Sequence, residues 1–207
     1  MASFIVIEGI DGSGTSTQAR ALAATLRGRG REVHETFEPT SGPVGVLIRR
    51  MLKGEEPRLA DARAERHLFA LLFAADRRHH VDDPADGIRM HLAADRDVVC
   101  ARYVLSSVAY ESTGPGERAQ VEALNESFPI PDLTVYLDCP VEAAMARIRA
   151  RDRHREIFET AEKLAQVKAA YEAALPSWRG RKLLVQATRP PEEITAEIAA
   201  LLAASRR

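Results

Sequence analysis

The chain has 207 residues, of which 45% are hydrophobic and 29% charged. That is enough apolar material to bury a core, and the balance excludes a disordered or fibrous chain. The 29 basic and 30 acidic residues leave a net charge of -1, and aromatics reach only 5%. This excludes a general electrostatic grip on nucleic acid and a base-stacking platform for single strands. The basic set is skewed, with 25 arginines and 4 lysines.

Phe4 to Ile7 is a continuous apolar run with β-branched residues, which predicts a strand buried on both faces. A glycine-rich turn, residues 8–14, follows it. Ser16 to Arg27 then reads as a helix, with Ala19, Leu22, Ala23 and Leu26 at helical spacing and Gly28 and Gly30 as stops. Glu32 to Phe37 reads as a second strand, and Val44 to Leu52 as a helix. Arg58 to Val81 carries a long helical pattern with a stripe at Leu68, Leu71 and Leu72, and Pro84 to Ala94 a short one. Val98 to Ala101 is a strand and Ser106 to Glu111 a helix; another helix follows Gly114-Pro-Gly116 as far as Phe128.

Leu133 to Leu137 is a strand, and Pro140 opens a helix to about Arg149. Arg149 to Arg155 is charged, with almost nothing to bury. A helix from Phe158 to Leu175, a strand at Leu183 to Val185 and a helix from Pro191 complete the chain. Short apolar strands alternating with helices predict one α/β domain over residues 1–207, with a parallel sheet covered on both faces. Cys100 and Cys139 fit no metal or redox spacing and read as buried and reduced. The longest apolar run, Leu68 to Ala75, is too short to cross a bilayer, and a cytoplasmic location is expected.

The turn Gly9-Ile10-Asp11-Gly12-Ser13-Gly14-Thr15-Ser16 follows a buried strand and opens a helix. It matches the phosphate-loop pattern G-x-x-x-x-G-K-[ST] except at the lysine, where Thr15 stands. Glycines there let backbone N–H groups converge on an anion, the helix N-terminus adds partial positive charge, and Ser16 is placed to ligate magnesium.

Around this loop lie Ser16-Thr17-Gln18, Glu38-Pro39, Gly42-Pro-Val-Gly45 with Ile48-Arg49, Leu71 to Arg77, Arg102-Tyr103, Ser106-Ser107, Ala109-Tyr110, Pro131 to Asp138 and Glu142, then an arginine-rich segment before Glu159. In this order and at these spacings, the chain resembles the thymidylate kinases, a family of P-loop nucleoside monophosphate kinases. The resemblance implies the three-layer P-loop fold, with a five-stranded parallel sheet and a short lid at about residues 149–159. It implies transfer of the γ-phosphoryl group of ATP to dTMP, with Mg2+, in a homodimer that packs helices such as Arg58 to Val81.

It also implies roles. Residues Gly9 to Thr17 hold the donor phosphates, helped by Arg149 and Arg151 of the lid. Phe73 stacks on thymine and Arg77, one turn along the same helix face, donates to its O4. Glu38, Pro39 and Arg49 line the acceptor, Arg102 holds its monophosphate, and Ser106 and Ser107 lie near the base. Tyr110 lies under the deoxyribose, Asp11 accepts from its 3'-hydroxyl, and Asp11 and Glu159 join Ser16 around magnesium. Arg153 and Arg155 reach the moving phosphoryl group, standing in for the absent loop lysine. The sequence departs from the family pattern at Thr15, at Ala101 (usually acidic) and at Phe37 (often Arg). Two other readings stay open: a homologue that binds nucleotide with a dead donor site, and a kinase for another pyrimidine monophosphate.

Overall fold

The structure, a computed structural model, describes residues 1–151 and 160–204. Its elements run β1 (Phe4–Glu8), α1 (Thr15–Gly28), β2 (Val33–Phe37), α2 (Pro43–Leu52), α3 (Ala62–Asp82), α4 (Ile88–Ala93) and β3 (Asp97–Ala101). There follow α5 (Val104–Glu111), α6 (Pro115–Asn125), β4 (Leu133–Asp138), α7 (Val141–Arg151), α8 (Ala161–Ala174), β5 (Arg181–Gln186) and α9 (Pro191–Ala204). The five strands form one parallel sheet in the order β2-β3-β1-β4-β5.

β1 is central and buried along its whole length, as its uninterrupted apolar run requires. Alternation sends Ile5 and Ile7 into the larger core with α1, α5 and α8, and Phe4 and Val6 into a second core with Val81, Ile88 and Tyr103. Helices therefore cover both faces, as expected for this fold class. The chain runs from β1 to the far edge at β2 and returns to place β3 between them, so β1 marks the point where the strand order turns. In open parallel sheets, the carboxyl end of such a strand is where ligands bind.

Among the boundaries that differ from the sequence expectation, several have a local reason. The helix expected from Arg58 starts at Ala62, because Asp61 caps it by accepting from Ala64 N–H at 2.7 Å. Glu65 also turns the preceding chain back, accepting from Leu59 N–H at 2.7 Å. The helix expected from Pro84 starts at Ile88, since Asp83 accepts from the N–H groups of Ala85 and Asp86 at 2.7 and 3.2 Å and holds a turn there. Thr160 caps α8 through Lys163 N–H at 3.1 Å, so that helix begins at Ala161; Phe158, where the sequence placed its start, lies outside the described residues. Arg149 and Arg151, expected in a charged loop, lie instead in the last turn of α7, where basic side chains suit the helix dipole. Arg153, Arg155 and Glu159 lie outside the described residues. No helix among the described residues is long and apolar enough to cross a membrane.

Candidate active site

The loop between β1 and α1 is shaped by backbone. Gly12 and Gly14 have φ of 80° and 101°, in the left-handed region that favours glycine. A Cβ on Gly12 would also meet the Ala144 carbonyl oxygen at 2.4 Å, so the loop lies directly on α7. Gly14 caps α1 without a side-chain hydrogen bond, and the first turn carries no acidic residue. Among the described residues, the helix cap at Gly14 supplies no side-chain bond to the first N–H groups of α1, and the buried Ser13 Oγ has no hydrogen-bond partner. Open donors at a helix N-terminus fit a polyphosphate. Thr15 is buried in the first turn, whereas the Ser16 and Thr17 side chains are exposed. Ser16 offers the hard oxygen that magnesium takes beside substrate phosphates.

Arg147, which the sequence reading passed over, braces this loop from α7. Its guanidinium donates to the carbonyls of Ser13 at 3.2 Å, Gly12 at 3.4 Å and Ala187 at 2.8 Å. It therefore ties the phosphate loop to the turn after β5. Only its place in an arginine-rich helix hinted at this.

Next to the loop sits Arg102, at the carboxyl end of β3. Its φ of 68° is uncommon for a residue with a side chain, and such strain clusters at functional sites. The guanidinium donates to Gly9 carbonyl at 2.9 Å and to an Asp11 carboxylate oxygen at 2.5 Å, and lies 5.2 Å from the Tyr110 ring centre. Burial opposes its charge, but the neighbouring Tyr110 and Asp11 more than offset this and hold its pKa above the ordinary value. Tyr110 hydroxyl accepts from Asp11 N–H at 3.0 Å. Asp11, far along the chain from Arg102 and Tyr110, therefore forms one bonded group with them.

Beneath them lies Glu8, a second residue missed from the sequence. It is fully buried and accepts from the N–H groups of Tyr103 at 3.0 Å and Ser106 at 3.3 Å. It also accepts from the hydroxyls of Ser106 at 2.5 Å and Tyr171 at 3.1 Å. Burial raises its pKa; the Ser106 hydroxyl and the Arg102 charge act the other way. A lone acid closing an apolar strand just before a phosphate loop was the sequence signal for it.

The second charged centre is Arg77 on α3, 1% exposed. Its guanidinium meets one Glu38 oxygen at 2.6 and 2.9 Å, Ser107 Oγ at 3.1 Å and the Asn125 side-chain oxygen. Tyr103 and Phe128 rings flank it at 5.1 and 5.8 Å. Burial disfavours the charge, but Glu38 outweighs it and raises the pKa. The other Glu38 oxygen lies 3.0 Å from His80 Nδ1. Glu38 thus anchors Arg77 from the loop after β2.

The following loop is equally braced. Asp76 accepts from Thr40 N–H at 2.7 Å and Thr40 hydroxyl at 2.6 Å, and Arg49 donates to the carbonyls of Pro39 and Thr40. Phe73 is half-buried beside Phe69, at 6.4 Å between ring centres, on the small core of Ile48 and Met51. The two serines expected near the base part company, because successive helical residues point about 100° apart. Ser107 reaches Arg77, whereas Ser106 reaches Glu8 and Arg102. Glu111, one turn past Ser107, is a buried carboxyl whose Oε2 has no partner among the described residues, and burial pushes its pKa up to about 8.

At the two departures besides Thr15, Ala101 is buried at the end of β3, and its carbonyl accepts from Glu38 N–H at 3.0 Å. Phe37 is exposed, with Arg49 5.8 Å from its ring centre.

Comparison with known proteins gives a consistent result. The family model described as "Thymidylate kinase" matches residues 7–198. The "Thymidylate kinase" of Leifsonia xyli subsp. xyli is 42% identical over 201 residues, covering 94% of this chain and 91% of that protein. The "Probable thymidylate kinase" of Pyrococcus horikoshii is 37% identical over 199 residues, covering 96% and 95%. With the parallel sheet, the phosphate loop at its turning point and the arginine centres beside it, this chain belongs to the thymidylate kinase family.

Proposed function

We propose that this protein transfers the γ-phosphoryl group of ATP to dTMP, giving dTDP and ADP. The observation that carries the reading is Arg102. It bonds at once to Gly9 and Asp11 of the phosphate loop, so an acceptor phosphate on Arg102 faces a donor phosphate in the loop. Phosphoryl transfer requires in-line positioning and positive charge on the moving group rather than covalent chemistry. A phosphate oxygen of dTMP attacks the γ-phosphorus while the bond to the ADP oxygen breaks.

The uncapped N–H groups of α1 and the loop glycines hold the donor. Ser16 would hold Mg2+, which supplies charge neutralisation between the donor phosphates when bound. Arg77, oriented by Glu38, donates to thymine O4, Phe73 covers the ring, and Ser107 lies beside Arg77. Tyr110 supports the deoxyribose and Asp11 meets its 3'-hydroxyl. Residues 149–159 act as the lid of one catalytic unit, with Arg153 and Arg155 supplying charge in place of the lysine that Thr15 replaces, and Glu159 near magnesium. The chain works as a homodimer through the α3 face, a reading supported by Leu71, exposed at 43% on that helix. Buried free thiols at Cys100 and Cys139 favour a reducing cytoplasm.

The test is a coupled assay of the purified chain with MgATP and a panel of monophosphates. Formation of dTDP, with dTMP preferred over dUMP and little use of UMP or AMP, supports the reading. Absence of transfer to every acceptor overturns it. The missing loop lysine favours one alternative, a dead donor site, which calorimetry distinguishes as dTMP binding without turnover. Preference for another pyrimidine monophosphate would point to the other. Gel filtration reads the dimer.

A further inference from the structure

The phosphate loop leaves the carboxyl end of β1. At the opposite end of the parallel sheet, a second group of side chains converges. His34 is the second residue of β2 and pairs in register with Val98 near the start of β3. Asp86 and His91 come from the turn before α4 and from α4 itself. One ligand atom from each of these three residues lies within 4.8 Å of the other two. His91 Nε2 is 2.8 Å and His34 Nδ1 3.8 Å from the same Asp86 Oδ1. The imidazoles stack, with centres 3.7 Å apart and planes at 15°.

His91 is buried, with Nε2 toward Asp86 and Nδ1 without a hydrogen-bond partner among the described residues. Arginines 27, 31 and 96 line the adjoining surface depression of about 420 Å³. Each is already committed: Arg27 to Glu35 at 3.6 Å, Arg31 to Asp97 at 2.9 Å and Arg96 to Glu32 at 3.0 Å. Among the described residues, the Asp86 carboxylate forms ion pairs only with the two histidines.

We propose that His34, Asp86 and His91 form a binding site for a divalent transition-metal ion of the zinc type. Two imidazole nitrogens and one carboxylate oxygen suit zinc, copper or nickel, whereas magnesium prefers oxygen alone. Tetrahedral zinc with bonds of about 2.0–2.1 Å places its ligand atoms roughly 3.3 Å apart. The 2.8 Å pair must open and the 3.8 Å pair close by about half an ångström, and the two nearly parallel imidazoles must rotate out of their stack so that both in-plane lone pairs meet at one ion. Asp86 is 74% exposed, so water has access to the fourth position. The ion would tie edge strand β2 to α4, away from the donor loop, and act on stability rather than on phosphoryl transfer.

The test uses the full chain, treated with chelator, free of nucleotide and held in excess magnesium. Zinc chloride is titrated by calorimetry, with thermal unfolding recorded in parallel. One equivalent should bind with micromolar affinity or better and raise the midpoint of unfolding. His34→Ala and Asp86→Asn, at half-buried and exposed positions, should each weaken zinc binding at least tenfold and remove the thermal shift. His91→Ala should do the same; if it fails to fold, the first two variants decide. Turnover of dTMP by His34→Ala should match the parent, so a failed kinase reading and a failed metal site give different results. No zinc binding at micromolar concentrations, or binding that these variants leave unchanged, overturns the proposal.

Discussion

The two halves of the candidate active site are built on opposite principles. Around Arg77, the proposed recognition of the base would rest on side chains: a buried cation is held by Glu38, Asn125 and Ser107 between two aromatic rings. Around Gly9 to Ser16, the proposed grip on phosphate would rest on backbone: left-handed glycines, a helix N-terminus whose cap carries no side-chain bond, and no lysine. A nucleobase differs from its rivals in a few hydrogen-bonding groups, so its site needs donors fixed in advance, and leaving such groups unmatched is costly. A polyphosphate offers many equivalent oxygens, which converging amides can hold without a unique side chain.

The largest expected effect falls on the side-chain half. Arg77→Ala leaves Glu38 buried without its main partner and should cost about 3–5 kcal/mol in stability, read by urea unfolding. The same variant should raise the KM for dTMP sharply. A variant as stable as the parent would show that Arg77 and Glu38 are not the fixed pair described here.

Next comes Glu111, whose carboxyl is neutral when folded below about pH 8 but ionises near 4.5 as a free side chain. The folded state therefore binds the extra proton between these values. Its contribution to stability is complete below about 4.5 and is lost as pH rises toward 8. Glu111→Gln should flatten the fall in stability across that window, a difference on the order of 2–4 kcal/mol, read as unfolding midpoint against pH. Parallel pH profiles for variant and parent would count against a buried neutral acid beside Ser107.

Arg102 joins the two halves. Arg102→Gln should lower kcat/KM for dTMP about 100-fold, or roughly 3 kcal/mol, with little change in ATP affinity. Equal loss for donor and acceptor would place it in the loop alone.

The smallest effect is expected on the backbone half. Thr15→Lys, which restores the missing charge, should raise kcat by about tenfold or less if amides hold the phosphates as proposed. A much larger gain would mean that the donor site is nearly dead as it stands. Arg153→Ala and Arg155→Ala are expected to lower turnover more than dTMP affinity.

Much of this was legible before any coordinates. The apolar run Phe4 to Ile7 and the glycine spacing after it are local features, and each lies where it was read. Phe73 and Arg77 share a helix face because four residues make about one turn. Local competition moved the helix ends: Asp61, Asp83 and Thr160 offered oxygens to nearby N–H groups and set the boundaries.

Taken alone, the sequence determined the alternation of strands and helices, the phosphate loop and the family, because these depend on neighbours within a few turns of chain. It could not say that Glu8 would gather Tyr103, Ser106 and Tyr171. Nor could it say that Arg147 would brace the loop, that Ser106 and Ser107 would serve different centres, or that His34 would stack on His91. Those contacts join residues up to 163 positions apart. They exist because the sheet places β1, β3 and their helices side by side, and buried polar groups must then find partners in what packing brings within reach.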